Sequence, residues 1–269
     1  MTAAIRMMED SLRAVDGVLL VLDARAPFSS VNKKLDVLFK DKKTLFVLNK
    51  CDLIENSDAL KAQKKFRENG RECVTVSALD KRTVDKLYDA IFSLLKEKIE
   101  RNKQKGFFKP IRIMVAGIPN TGKSTIINAL SGGKKTATGN KAGVTRGKQW
   151  VRLKDLELLD TPGTMPPYFD DQISAKHLAY IGSMNDANID FNDLAYELIS
   201  ELAVKYPALL KTRYGIENTE DIAEIMNAVC VKRGFLLKGG EFDYDRCSTA
   251  IIDDFRKGRI GKIFIDDIK

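Results

Sequence analysis

The stretch Gly-Ile-Pro-Asn-Thr-Gly-Lys-Ser, residues 117–124, has two glycines separated by four residues and followed by Lys-Ser. The apolar residues 111–116 before it predict a buried strand, and residues 123–130 after it predict a helix. Gly117 and Gly122 permit a tight turn that points backbone N–H groups at a phosphate, beside the positive end of that helix. The stretch therefore predicts an α/β fold with a nucleotide-phosphate site.

A second motif lies upstream of this loop. Residues 49–52, Asn-Lys-Cys-Asp, follow a buried apolar run and match the pattern Asn-Lys-x-Asp that reads guanine. We expect Asp52 to accept two hydrogen bonds from guanine N1 and N2, which adenine does not supply. Lys50 would lie along the purine face and Asn49 would brace the phosphate loop. Ser77-Ala78, at the end of the next strand, would offer a backbone N–H to guanine O6.

The phosphate end of the site has its own candidate residues. Lys123 is placed to bridge the β- and γ-phosphates, and the Ser124 hydroxyl to bind Mg²⁺. Asp160, which follows a strand in Asp-Thr-Pro-Gly, would reach Mg²⁺ through water, and the Gly163 N–H would sense the γ-phosphate. Thr145 is our choice for a second Mg²⁺ hydroxyl ligand. We count Lys123, Thr145 and Gly163 as catalytic; the further expected nucleotide contacts are Asn120, Thr121, Gly122 and Thr125.

The choice of Thr145 has competitors. The Gly- and Thr-rich residues 134–147 also offer Thr136 and Thr138, and a plain surface threonine is the simpler interpretation of all three.

The order of the two motifs is itself informative. In ordinary GTPases the phosphate loop comes first, whereas here the guanine motif does. Cutting one surface loop and joining the old termini leaves a single sheet and its site intact, so such a permutation preserves the pocket. The charged residues 101–109, which stop at Pro110, are where we expect the join. The loop after Asp160 then leads directly into the C-terminal part.

The pattern along the chain predicts a doubly wound, mostly parallel sheet followed by helices. Strands are predicted at residues 17–23, 44–48, 72–76, 111–116, 149–153 and 156–159. Helices are predicted at residues 2–14, 36–40, 57–69, 83–99, 123–130, 191–205, 219–232 and 249–256. We expect a circularly permuted P-loop GTPase domain over residues 1–175 and a small all-helical domain over residues 176–269.

Composition bounds these expectations. A chain of 269 residues with 44% apolar content can bury a substantial core, and the absence of a signal pattern or of an apolar run near 18 residues indicates a soluble, unsecreted protein. The four widely spaced cysteines are expected to be free thiols.

Charge is distributed unevenly. The net charge is +8, its basic excess lies within residues 1–185, and residues 101–154 contain thirteen basic and no acidic side chains. Either a phosphate site on a solvated face or contact with a polyanion such as RNA explains this, and charge alone leaves both open.

The motifs taken together resemble the circularly permuted GTPases of the ribosome biogenesis GTPase A family. The resemblance covers nearly the whole chain and adds to the motifs above the segments Asp-Ala-Arg-Ala-Pro at 23–27, Gly-Val-Thr at 143–145, Tyr-Pro at 206–207, Arg-Tyr-Gly at 213–215 and Lys-Arg-Gly at 232–234. It implies a GTP-hydrolysing assembly factor for the large ribosomal subunit, whose helical domain contacts ribosomal RNA. It also implies a cytoplasmic bacterial protein or an organellar homologue, without a membrane span and monomeric.

Two departures concern the water that attacks GTP. The family's usual Gly-His-Met segment is not found near Met1, and we expect the only histidine, His177, to be an ordinary helix or surface residue rather than a replacement base. Thr164 stands where ordinary GTPases carry glutamine and this family an apolar residue. We therefore expect slow intrinsic turnover, stimulated by the ribosomal partner or by a cation. Asn120 resembles the asparagine that binds K⁺ in cation-dependent GTPases, although turn geometry alone also explains it.

Basic residues in the tail are the candidate RNA contacts: Lys232, Arg233, Arg256, Lys257 and Arg259, with Lys262 nearby. A solvated face explains them equally well. The acidic balance after residue 185 keeps a second hypothesis open, a stand-alone regulatory GTPase that binds a protein effector through the helical domain. An RNA-modifying enzyme has no support, because no nucleophilic cysteine, metal cluster or second cofactor loop is present in the sequence.

Overall fold

A six-stranded sheet forms the centre of the computed structural model, which describes residues 3–106, 109–132, 149–166, 171–218 and 220–268. The strands are β1 Gly17–Asp23, β2 Lys43–Asn49, β3 Cys73–Val76, β4 Ile111–Ala116, β5 Gln149–Arg152 and β6 Leu156–Asp160. Their spatial order is β3-β2-β1-β4-β6-β5, and all neighbours are parallel except β5 and β6. The predicted doubly wound, mostly parallel sheet is confirmed.

The two central strands are far apart in sequence. β1 pairs with β4 in parallel, with Leu20 beside Ala116. From this pair the chain winds outward through β2 and β3 on one side and through β6 and β5 on the other. The point where the winding reverses opens a crevice at the carboxyl ends of the strands, which is where open α/β sheets bind ligands.

Helices cover both faces of the sheet because its central strands are apolar on both sides; all seven residues of β1 are buried. One face packs against α1 Ala3–Ser11, α2 Lys33–Leu38 and α3 Asn56–Glu68, through residues such as Met8, Leu35 and Phe66. The other face packs against α4 Lys81–Leu94 and α6 Lys123–Leu130, through Leu87, Ile91 and Ile126.

The helix predicted at residues 83–99 is two helices in the structure. α4 ends before Leu95, which is buried in the core, and α5 Lys96–Gln104 continues from it. Residues 101–104 are therefore helical rather than a plain connector, which corrects that part of the expected join. The helix predicted at residues 2–14 also divides, into α1 and a 3-10 turn over Leu12–Ala14.

The C-terminal part is helical and has its own core. It contains α7 Gln172–Tyr180, α8 Phe191–Lys205, α9 Pro207–Tyr214, α10 Ile222–Arg233 and α11 Tyr244–Arg256. Leu198, Val229 and Ile251, from three of these helices, are fully buried together. Ala26 and Ile118 belong to the same cluster, so this core continues into the loops of the sheet.

Two of these helices were missed. The sequence of α7 lacks a clear apolar period, and Pro207 begins α9, because proline is well accommodated in the first turn of a helix. The expected domain boundary at residue 175 falls inside α7. The four cysteines are free, and none of the helices described is long and apolar enough to cross a membrane.

Candidate nucleotide site

The sequence motifs meet at the carboxyl edge of the sheet. Asp23 at the end of β1 lies beside Asn49 at the end of β2, and Asn49 lies beside Val76 at the end of β3. On the other side of the centre, β4 leads into the phosphate loop, and Asp160 ends β6 beside Val115. Strand register alone thus brings segments that are far apart in sequence to one edge.

The phosphate loop and the guanine motif touch directly. Asn49 Nδ2 donates to the Thr121 carbonyl oxygen at 2.8 Å, as the bracing role requires. Gly122 makes this approach possible: its φ is 91°, and a Cβ there would lie 2.2 Å from Asn49 Nδ2. Lys50 Nζ donates to the Asn120 carbonyl oxygen at 2.7 Å. The two motifs, in swapped sequence order, form one continuous site.

The remaining base-reading residues are Asp52, Ser77 and Ala78. Asp52 is exposed in the 3-10 turn Cys51–Leu53. Ser77 and Ala78 directly follow β3, next to Asn49, but the Ala78 N–H already donates to Asn49 Oδ1 at 3.3 Å. Thr83 fixes the turn by accepting from the Ser77 N–H at 3.0 Å. The expected bond from Ala78 to guanine O6 would therefore share this N–H with Asn49.

Lys123 lies in the first turn of α6 and is almost completely buried. Its Nζ donates to the Ile118 carbonyl oxygen at 2.7 Å, which holds the ammonium within the phosphate loop. Burial lowers the pKa of Lys123 to about 8, although the nearby Asp160 carboxylate acts in the opposite direction. Ser124 and Thr125 follow on the same turn.

A hydroxyl and a carboxylate meet beside this lysine. Ser124 Oγ donates to Asp160 Oδ2 at 3.1 Å, and Asp160 is 1% exposed. Mg²⁺ prefers such hard oxygen ligands and is held in nucleotide sites by few protein groups. The residues present therefore fit Mg²⁺. Thr145, the other expected ligand, lies outside the described residues.

Residues 161–164, which follow Asp160 and are called the switch segment here, pack tightly on the phosphate loop. A Cβ on Gly163 would lie 2.7 Å from Cα of Pro119, so only glycine fits there. The Thr164 N–H donates to the Gly117 carbonyl oxygen at 3.2 Å, and the Thr164 carbonyl oxygen accepts from Asn32 Nδ2 at 2.8 Å. Gly163 is thus held against the loop that would carry the phosphates.

The helical region, which comprises α7 to α11 and the turns between them, also contacts the phosphate loop. The sequence did not predict this contact. Asn120, with a positive φ of 60°, donates from Nδ2 to the Gly182 carbonyl oxygen at 2.5 Å. Ser183 Oγ donates to the Pro119 carbonyl oxygen at 2.8 Å. Both partners lie in the turn after α7, and no local signal in the sequence marks them.

His177 lies in a helix, α7, as expected, but it is buried rather than on the surface. Its Nδ1 lies 2.8 Å from Asp266 and its Nε2 lies 3.3 Å from Glu201. Burial would lower the pKa of His177, but these two carboxylates outweigh it and raise the pKa to about 9. The ring joins α7, α8 and the C-terminal tail.

The five expected RNA-contacting side chains all have partners within the chain. Arg256 is the most engaged, since its guanidinium donates to the Tyr180 and Ala179 carbonyl oxygens and to Asp186. Arg233 and Arg259 both pair with the buried Asp254. Two lysines complete the set: Lys257 pairs with Asp253, and Lys232 donates to a backbone carbonyl oxygen.

Known proteins share this arrangement. The family model described as "50S ribosome-binding GTPase" matches residues 112–228. The ribosome biogenesis GTPase A of Bacillus licheniformis is 37% identical over 267 residues, covering 98% of this chain and 94% of that protein. The mitochondrial ribosome-associated GTPase 1 of Ictalurus punctatus is 28% identical and covers 99% of this chain and 90% of its own length.

A solved structure agrees in fold. The crystal structure of GNP-bound YlqF from T. maritima superposes with a TM-score of 0.67 at 27% identity, covering 98% of each chain. Fold and site together define a P-loop GTPase whose guanine motif precedes its phosphate loop. The chain belongs to the ribosome biogenesis GTPase A family. As a member of a GTPase family it binds guanine nucleotide.

Proposed function

We propose that this protein is a GTP-hydrolysing assembly factor for the large ribosomal subunit. The observation that carries the proposal is the direct attachment of the helical region to the phosphate loop, through Asn120 and Gly182 and through Ser183 and Pro119. Such an attachment lets nucleotide state alter the position of a binding region. The names of the relatives in Bacillus licheniformis and Ictalurus punctatus, both ribosome-linked, supply the partner.

We propose the following nucleotide contacts, which the contacts between the guanine motif and the phosphate loop support. Asp52 would select guanine, with Lys50 along the purine face and Asn49 bracing the loop. Lys123 would leave the Ile118 carbonyl oxygen for the β- and γ-phosphates, and the Gly163 N–H would report the γ-phosphate. The other proposed contacts are Ser77, Ala78, Asn120, Thr121, Gly122 and Thr125.

Mg²⁺ would be held by Ser124, with Asp160 beside it and Thr145 as the second hydroxyl. Bound there, the ion would neutralise charge that develops on the phosphates. Asp160 lies within hydrogen-bond distance of Ser124, which supports a shared role.

Turnover is proposed to be slow without the ribosome. Thr164 Oγ1 donates to the Pro162 carbonyl oxygen at 3.2 Å, so this hydroxyl is committed within its own loop. The ribosomal particle would position the attacking water, or K⁺ at Asn120 would supply positive charge beside the phosphates. The ligand for the cation would be Asn120 Oδ1, because the amide nitrogen is a donor, which here bonds to the Gly182 carbonyl oxygen.

Ribosomal RNA would be bound by basic side chains of the helical region. Lys257 and Arg259 are the best candidates, since their side chains are about half exposed and both pair with Asp253 at the surface. Arg256 is the weakest, because its bonds hold α7 in place. The proposal places the protein in the bacterial cytoplasm as a monomer, with an organellar homologue as the alternative, and a domain boundary near residue 175.

Co-sedimentation with large-subunit particles tests this function. We expect the protein to sediment with the particles in a non-hydrolysable GTP analogue and to leave them in GDP. Lys257→Glu should weaken the binding and reduce the slope of log affinity against log salt concentration by roughly one. Lys61→Glu on α3 is the matched control and should change neither the affinity nor the slope. Equal binding in GDP and in the analogue would count against the proposal.

A protein effector is the second candidate. α8 exposes Tyr196 and Val204, at 52% and 83%, on a region whose charge balance is acidic. If RNA is the ligand of the helical region, ribosomal RNA fragments should compete with the captured partner. If the fragments do not compete, and Tyr196→Ser abolishes capture of the partner, the effector hypothesis is favoured.

A further inference from the structure

The guanine-reading segment is attached to the end of the helical region at two places that do not involve the γ-phosphate. One attachment is the side chain of Arg25, in the loop after β1. The other is the backbone of Leu53, directly after the guanine motif.

Arg25 is 1% exposed and uses both sides of its guanidinium. Its Nε and Nη2 donate to the two carboxylate oxygens of Asp23 at 2.9 and 2.8 Å. Its Nη1 donates to the carbonyl oxygens of Phe255 and Arg256 at 3.1 and 3.2 Å. These carbonyls end α11 and carry the negative end of the helix dipole, so a buried cation suits them, although the Phe255 carbonyl oxygen also accepts from the Gly258 N–H at 3.0 Å.

Asp23 connects Arg25 to the guanine motif. The same Oδ2 atom that accepts from Arg25 accepts from Lys50 Nζ at 2.7 Å, and Lys50 Nζ also reaches the phosphate loop. Asp23 is fully buried, whereas the Lys50 side chain is 26% exposed. Lys50 is therefore the member of this chain of contacts that a bound base can cover.

The second attachment is made by the backbone. The Ile263 N–H donates to the Leu53 carbonyl oxygen at 3.0 Å, and the Ile265 N–H donates to the Arg25 carbonyl oxygen at 2.9 Å. Gly258 lies so close that a Cβ there would be 2.6 Å from Leu53 Cδ2. The residues after α11 thus lie against both ends of the Arg25–Asp23–Lys50 connection.

We propose that Arg25 is a positioning residue that couples guanine-base binding at Lys50 to the carboxyl end of α11. This rests on the proposed contact of Lys50 with the base. A base that covers Lys50 removes water from the ion pair with Asp23, which strengthens the pair and fixes the carboxylate that orients Arg25. GDP therefore orders the end of α11 as GTP does, while the γ-phosphate acts separately through the switch segment.

Coupling of this kind is reciprocal: whatever orders the end of α11 must tighten the binding of guanine nucleotide by the same factor. The helical region would then sense two things, the presence of a base and the presence of a γ-phosphate. Among the contacts described above, Arg25 is the side chain that joins the guanine motif, through Asp23, to the carbonyl oxygens at the end of α11.

Ligand dissection on the unaltered protein is the first test. Amide hydrogen exchange is followed in a peptide covering residues 251–260, with saturating magnesium pyrophosphate, with GDP, or with neither. We expect GDP to slow exchange at least fivefold and pyrophosphate, which fills the phosphate loop without a base, to slow it less than twofold. Equal slowing by both ligands, or none by GDP, would overturn the proposal.

A pair of arginine variants is the second test. Arg25→Lys keeps a cation beside Asp23 but cannot span to α11; Arg213→Lys is the matched control, since Arg213 also binds α11, at Asp254, far in sequence from the guanine motif. We expect the GDP-dependent slowing to fall below twofold in Arg25→Lys and to persist in Arg213→Lys.

A merely structural role for Arg25 gives a different result, namely faster exchange with and without GDP and an unchanged ratio between them; that result overturns the proposal. Should Arg25→Lys fail to fold, the ligand comparison on the unaltered protein still decides. Failure of the unaltered protein to bind GDP at all would instead refute the proposed function.

Discussion

Lys123 is a buried cation within the phosphate loop. Without phosphates its ammonium is buried against the Ile118 carbonyl oxygen, and its pKa is lowered to about 8. Nucleotide phosphates must raise this pKa, because opposite charge favours the protonated form. Nucleotide binding is therefore linked to proton uptake whenever the free protein has lost this proton.

We predict that the affinity for GDP is constant below about pH 8 and falls above it, by up to tenfold per pH unit. Titration calorimetry between pH 7 and 9 in buffers of different ionisation heat measures both the affinity and the proton uptake. Lys123→Arg is the matched control, since a guanidinium stays charged throughout and its affinity should be flatter. Proton uptake that is equal in both proteins would show that another group titrates.

Gly163 is held by shape rather than by charge. A methyl group at this position would meet the backbone of Pro119 at 2.7 and 2.8 Å, and backbone does not yield as a flexible side chain does. Gly163→Ala should therefore push the switch segment off the phosphate loop.

For Gly163→Ala we predict at least a tenfold loss in GTP hydrolysis and in affinity for a non-hydrolysable GTP analogue, while GDP affinity stays within about threefold. The loss corresponds to about 1.4 kcal/mol or more, within the range of overpacking costs. Nucleotide binding assays and single-turnover hydrolysis measure the two effects. If GDP and the analogue weaken equally, Gly163 does not report the γ-phosphate.

At the scale of elements, α7 follows the switch segment and is anchored by His177. The ring is 3% exposed and lies between Asp266 of the tail and Glu201 of α8. Asp266 Oδ2 also accepts from the Phe28 and Ser29 N–H groups at 2.7 and 3.0 Å. One carboxylate thus joins the tail, α7 and the loop before α2.

The raised pKa of His177 gives this anchor a pH dependence. The folded pKa is about 9 against an unfolded value of 6.5, so the stabilisation is fully present below about pH 6.5 and is lost as pH rises through about 9. At 1.4 kcal/mol per pKa unit, this stabilisation is at most about 3.5 kcal/mol. We predict that the stability difference between the unaltered protein and His177→Gln shrinks over this interval.

Urea unfolding at pH 6.5, 8 and 9.5 measures that difference. Taking the difference matters, because the lowered pKa of Lys123 makes the fold more stable as pH rises, in both proteins alike. A difference that stays constant from pH 6.5 to 9.5 would mean that His177 is not charged in the folded state.

At the scale of the whole molecule, sequence predicted what local patterns and strand register determine. β1 has seven buried apolar-rich residues, and α8 begins and ends where its apolar period does, at Phe191 and Lys205. The site residues 49–52 and 117–124 could be found because phosphate and guanine require particular side chains at fixed spacing. Their meeting at one edge followed from a single parallel sheet.

What sequence could not predict depends on contacts between distant segments. Arg25 binds carbonyl oxygens 230 and 231 residues away, and Asn120 binds one 62 residues away. Any arginine or asparagine has the same local pattern, so nothing nearby marks these two. The burial of His177 was missed for the same reason, since its partners Glu201 and Asp266 lie on other elements.

The central claim is that the motifs at residues 49–52 and 117–124 bind one guanine nucleotide. The most direct test measures the affinities of GDP and xanthosine diphosphate for the unaltered protein and for Asp52→Asn. We predict that the unaltered protein prefers GDP by roughly 100-fold or more and that Asp52→Asn reverses the preference, because the amide donates to the xanthine carbonyl that replaces the guanine amino group. Lys123→Ala should weaken both ligands alike. An unchanged preference in Asp52→Asn would contradict the claim.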